Sequence, residues 1–163
     1  MLDALWGDCP SAQLGRRAGQ AGSERLRAGH PRPPVLLAGS TPVALDRVAR
    51  RADGWMPAGL DPDVLAPRWA EVRARAAAYG RDPEALHLVV RANVHLRARP
   101  EEGARAPFQG DLEQVVGDVE ACRRAGATEV VLDLGGLVGL DEALDGYARI
   151  AEAVGVPSRT TAA

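Results

Sequence analysis

From Val35 onward the sequence alternates short apolar runs with stretches of helical period, four times over, and no other feature restricts the fold as much. Val35-Leu36-Leu37-Ala38 lies between prolines and a Gly-Ser-Thr-Pro turn, the pattern of a buried strand. Pro42 to Arg51 follows with helical spacing, Thr41 standing as N-cap and Pro42 at the first helical position, where a missing N–H costs nothing. Gly54-Trp55-Met56-Pro57 is a second short strand. Asp61-Pro62 opens a longer helix ending near Tyr79 and Gly80, with Pro67 marking a later start or a kink.

Leu86 to Leu96 has period two. Leu86, Leu88, Val90, Ala92, Val94 and Leu96 form one face, and His87, Val89, Arg91, Asn93 and His95 the other, which specifies a strand. Gly110-Asp111 opens a helix to Arg124 with Leu112, Val115, Val116, Val119 and Cys122 along one stripe. Glu129 to Leu134 is the fourth strand, and a helix from about Leu140 to Val154 follows. Strand-helix alternation favours parallel strands joined by right-handed crossovers. Four such units are half of an eight-stranded β/α barrel, and an open doubly wound sheet has the same alternation. Period and composition leave both open.

The expected organisation has three parts. Residues 1–34 form an irregular leader: Leu2, Leu5 and Trp6 fit one side of a short helix, but the following Gly, Arg, Ala, Ser and Pro text has no period and few large apolar residues. Residues 35–157 form the αβ body, and residues 158–163 a polar tail.

Composition excludes several classes of function. The formal net charge is -2, with 20 basic residues, all arginine, set among 22 acids, so there is no positive field for gripping nucleic acid. Aromatic residues are only 4%, too few for base-stacking platforms. No apolar run approaches the ~20 residues of a membrane span, and the opening MLDALWGDCPSAQ, without a basic start and apolar run, gives no expectation of a secretion signal. Cys9 and Cys122 lie far apart and His30, His87 and His95 lack ligand spacing, so no metal site is expected and the chain reads as reduced and cytoplasmic.

Three blocks carry a family resemblance: PRPPVLLAGSTPVALDRVARRADGWMPAGL, AYGRDPEALHLVVRANVHL and GDLEQVVGDVEACRRAGATEVVLDL, in that order between Pro31 and Leu134. They resemble the C-terminal half of the luciferase-like monooxygenase superfamily. The resemblance implies a TIM-type (β/α)8 barrel, of which this chain supplies four βα units with parallel strands. It implies FMN or a deazaflavin coenzyme of the F420 type, used for hydride transfer or oxygenation of a small organic substrate. The family's N-terminal half has no counterpart here. A homodimer or a separate N-terminal half is therefore the expected partner, and the alternative is a truncated remnant or half-barrel binding module without catalysis.

Ala38, Gly39, Ser40 and Thr41 are the candidate cofactor-binding residues. Glycine allows close backbone approach, the hydroxyls donate hydrogen bonds, and a helix start favours an anion. The resemblance places the cofactor phosphate or ribityl tail beside this loop, which by itself also reads as an ordinary helix cap. With the apolar face of the third strand under helices, Arg91, Asn93 and His95 point into the lumen. Arg91 suits a phosphate or carboxylate, and His95 suits proton transfer or solvent. Asp133, at the end of the fourth strand, accepts from a substrate or neutralises Arg91. Asp53 reads as a structural turn residue and Trp55 as core. No residue is assigned a catalytic role.

Overall fold

The first strand is short because its sequence allows little more. The prolines before Val35 offer no N–H to a ladder, and Gly39 turns the chain at a φ of 101°. In the computed structural model, which describes residues 33–134 and 139–156, the elements are β1 (Leu36–Leu37), α1 (Pro42–Arg51), β2 (Gly54–Trp55), α2 (Pro62–Ala78), a 3-10 turn (Pro83–Ala85), β3 (His87–Asn93), β4 (His95–Leu96), β5 (Gln109–Gly110), α3 (Leu112–Arg124), β6 (Glu129–Asp133) and α4 (Leu140–Ala153). The leader up to residue 32, the polar tail and most of the Gly135–Gly139 turn lie outside the described residues.

Strand order decides between the two architectures left open above. The main sheet runs β1-β2-β3-β6, every pair is parallel, and each helix packs against the helix before it. A doubly wound sheet reverses its order at a switch point and places helices on both faces. Here the order follows the chain without reversal, which is the arc of a β/α barrel.

Helix ends are set by side chains. The Thr41 hydroxyl accepts from the Ala44 N–H at 3.3 Å, and no acidic side chain stands in the first turn of α1. At its other end, Arg81 donates to the carbonyls of Val48, Ala49 and Ala52 at 3.3, 2.8 and 2.6 Å. A guanidinium there satisfies orphan carbonyls and complements the helix dipole. α2 passes through Pro67 without ending and buries Leu65, Trp69, Val72 and Ala76. α3 begins with a reciprocal capping box between Asp111 and Gln114.

The core lies between the strands and these helices: Leu45 and Val48 from α1, Leu65 and Val72 from α2, Leu88, Val90 and Ala92 from β3, and Val115 and Cys122 from α3. Asp53 ties the N-terminal ends of the strands. Its carboxylate accepts from the Val35 N–H at 2.6 Å, its N–H donates to the Val35 carbonyl, and its carbonyl accepts from the His87 N–H at 3.0 Å.

One segment differs from its period. The continuous strand expected over Leu86–Leu96 is interrupted at Val94. There the Val94 N–H donates to the Asp133 carbonyl at 2.8 Å, and beyond it the chain changes partner from β6 to β5. The apolar and polar residues of the sequence keep alternating through the break, so a change of partner leaves no mark on the pattern.

Cys122 is fully buried, and burial pushes its thiol up to about 11, with the Asp118 charge adding to the rise. About one thiol in a thousand is then ionised at pH 8. In a Cys9→Ser background, Ellman's reagent is expected to find no fast-reacting thiol in the native chain and one after denaturation. Rapid native labelling would show that the α3 interface opens. The sign for stability follows: because the folded value is raised, this contribution holds below the ordinary thiol range and declines as pH rises toward 11.

Candidate functional site

Two places at the C-terminal ends of the strands carry the candidate residues. The first is the turn after β1, where Ala38, Gly39, Ser40 and Thr41 are all exposed. Gly39 has a positive φ, and a Cβ there would stand 2.8 Å from the Ala44 Cβ. Its carbonyl accepts a hydrogen bond from the fully buried Trp55 indole N–H at 2.8 Å. The loop is therefore tied to the core from beneath while its upper surface faces solvent. α2, α3 and α4 each carry acids in the first turn (Asp63, Glu113, and Asp141 with Glu142), and α1 carries none. Among these helices, the N-terminus of α1 alone leaves its positive dipole end without an acidic competitor.

The second place is a cavity of about 660 Å³ between the β3–β4 junction, the end of β6 and one side of α4. Its apolar floor includes Val94, Leu96 and Leu134, and its polar wall includes Asn93, His95, Arg97, Asp133, Glu142, Asp145 and Arg149. Gly146 lets α4 come close: a Cβ there would lie 2.6 Å from the Leu134 Cδ2. Most of the charges are matched. Arg149 pairs with Asp145 at 3.6 Å and Arg97 with Glu101 at 3.5 Å. Arg91 and Asp133 form a two-pronged ion pair, the Nε contact at 3.2 Å and the Nη2 contact shorter. Asn93, His95 and Glu142 have no side-chain partner among the described residues, which leaves their hydrogen-bonding groups available to a ligand.

The sequence-derived candidates thus separate. Asn93, His95 and Asp133 come together at the cavity, Arg91 stands behind them bound to Asp133, and the Ala38–Thr41 loop does not line it. Trp55 is core, as expected, and it also holds the loop. Sequence reasoning missed the contribution of α4. Glu142, Asp145 and Arg149 occupy the wet side of an amphipathic helix, and nothing in their spacing distinguishes a wet face that lines a groove from one that faces bulk solvent. Among the described residues there is no group of three His, Cys, Asp or Glu placed to hold a metal ion. No helix among them is long and apolar enough to cross a membrane.

Residues 17–116 match the family model described as luciferase-like monooxygenase. The chain belongs to that family. Solved structures with the same fold include a long-chain alkane monooxygenase (LadA), with a TM-score of 0.55 at 13% identity, covering 80% of this chain and 43% of that one. A riboflavin lyase (RcaE), solved with modified FMN and the substrate riboflavin, matches with a TM-score of 0.55 at 13% identity over 80% of this chain and 45% of the other. The coenzyme F420 dependent tetrahydromethanopterin reductase of Methanopyrus kandleri aligns at 15% identity and a TM-score of 0.49, covering 72% of this chain and 48% of that enzyme. The luciferase-like chain described here spans less than half the length of each of these structures. The parallel arc of strands is thus part of a TIM-barrel-type fold.

Proposed function

We propose that this chain supplies the C-terminal βα units of a flavin- or deazaflavin-dependent oxidoreductase acting on a small organic substrate. The observation that carries the reading is family membership together with a cavity at the C-terminal ends of parallel strands, where barrel enzymes place their sites. When bound, the tricyclic ring supplies the redox chemistry, as hydride transfer or as oxygen activation. The residues present fit such a group. Gly39 leaves no room for a side chain, Ser40 and Thr41 offer hydroxyls, and the acid-free first turn of α1 accepts a phosphate. Asn93, His95 and Asp133 orient a substrate or the edge of the ring at the cavity, and Arg91 holds the Asp133 carboxylate in place.

The test separates the phosphate from the ring. Ser40→Asp puts a negative charge on an exposed position of the loop, with little expected effect on folding. It is expected to weaken FMN binding at least about tenfold, some 1.4 kcal/mol, while leaving the affinity for riboflavin unchanged. Fluorescence titration of the chain with the two flavins reads both numbers. Equal loss for both, or no loss for FMN, would remove the phosphate role from the loop.

A second reading follows from the edges. Among the described residues β1 and β6 each pair on one side only, and an unpaired edge invites another strand. In this reading a homodimer or a separate N-terminal half completes the site, or the chain serves as a binding module without catalysis. A monodisperse monomer by light scattering that binds flavin with the loop dependence above would dismiss it.

A further inference from the structure

Asp118 is buried (8% exposed) on α3, in the same inward stripe as Val115, Val119 and Cys122. A carboxylate in that position is costly unless its lone pairs are matched. Here they are matched from one direction only, the excursion between β4 and α3. Arg105 delivers Nη1 to one oxygen at 2.6 Å and Nη2 to the other at 2.7 Å, and the Phe108 N–H donates to the carboxylate at 2.7 Å. Arg105 also donates to the Gln109 carbonyl at 3.1 Å, which closes the loop on itself.

Phe108 is fully buried and has a φ of 61°. A left-handed conformation is unfavourable for a bulky residue and persists only where its surroundings over-determine it. What it achieves is the direction of the next contact: the Phe108 carbonyl accepts from the His95 N–H at 3.0 Å, and Gly110 accepts from the Arg97 N–H at 2.7 Å. Those two bonds bracket the β4–β5 pairing of His95 with Gln109 and Leu96 with Gly110, and β4 is the strand wall of the cavity.

We propose that Asp118 is a positioning residue for the cavity: by holding Phe108 in its left-handed conformation it fixes where His95 stands. The inference rests on reading the cavity as the substrate site. Its claim concerns the geometry of His95, and its test uses no flavin, so the cofactor assignment and this one fail separately.

The experiment is amide hydrogen exchange by NMR on the whole chain, with the His95 imidazole resonances recorded alongside and identified by their loss in His95→Gln. In Asp118→Ala, the amides of Phe108, His95 and Arg97 are expected to exchange at least about tenfold faster, while Val90 and Ala92 in β3 keep wild-type rates. The His95 ring resonances shift, and those of His87 at the other end of β3 do not. Asp118→Asn keeps an oxygen for the Phe108 N–H and is expected to fall between wild type and Asp118→Ala. Should Asp118→Ala not fold, Asp118→Asn supports the same comparison, with His95 accelerating more than Val90. Arg81→Ala, which removes the α1 cap and touches nothing in the excursion, leaves the ratio of His95 to Val90 rates unchanged. Uniform acceleration of His95, Val90 and Ala92, or unchanged His95 exchange in both Asp118 variants, would reduce Asp118 to a general stabiliser and overturn the proposal.

Discussion

Replacing Trp55 with alanine is expected to lower the stability of this chain by about 4 kcal/mol, the range found when a large aromatic side chain is removed from a packed core. The indole is fully buried, in a strand of only two residues that pairs with β1 on one side and β3 on the other. Its loss removes apolar contact beneath both neighbouring strands. It also leaves the Gly39 carbonyl without its N–H donor. The two effects are separable. Trp55→Phe keeps most of the apolar volume and removes the donor, so it is expected to cost about 2 kcal/mol, roughly half from the hydrogen bond and half from the smaller ring. Urea denaturation measures both, as a lower midpoint at an unchanged slope. A cost below 1 kcal/mol for Trp55→Ala would show that the strand is not anchored by this residue. Equal costs for the two variants would assign the whole effect to the hydrogen bond.

Much of this arrangement is legible from residue patterns, for reasons that can be stated element by element. α1 begins and ends where Thr41, Pro42 and its apolar spacing place it, because a cap, a fixed φ and a buried stripe agree on one answer. The Arg91–Asp133 pair follows from two facts available beforehand: the alternation of each strand sets both residues on the face opposite its apolar one, and opposite charges on one face of a sheet pair across neighbouring strands. What stays hidden is set by non-periodic contacts. Asp118 looks like an ordinary polar position on a helix, because its partners, Arg105 and the Phe108 N–H, sit in a loop without hydrophobic period. The β4–β5 pairing is invisible for the same reason: two residues pairing with two give no alternation to detect. The site is thus half legible. Its strand-end residues have a period to be read from, whereas its α4 wall and its support from α3 are tertiary contacts.

Two glycines in this fold are crowded to a similar distance, yet substitution at them should have very different results. A Cβ at Gly54 would meet the His87 carbonyl oxygen at 2.4 Å, and behind it the Leu36 Cδ2 at 2.7 Å. The first of these is backbone of the neighbouring strand. It cannot rotate away, so relief requires β2 and β3 to separate, breaking the register that joins Gly54 to His87 and Trp55 to Leu88. Gly54→Ala is therefore expected to cost about 3 kcal/mol, at the upper end for overpacking. At Gly146 the contact is the Leu134 Cδ2 at 2.6 Å, the tip of a side chain that can change rotamer. Alanine in a helix interior gains about 1 kcal/mol over glycine, which offsets the cost of moving that tip. Gly146→Ala should leave stability within about 0.5 kcal/mol of wild type. Its effect belongs to the cavity instead, because Leu134 and Gly146 both line it. Thermal denaturation separates the pair: a large fall for Gly54→Ala beside almost none for Gly146→Ala is the expected pattern. Equal falls would mean that α4 is as rigidly packed against the sheet as the strands are against each other, with no slack at the cavity for a ligand to use.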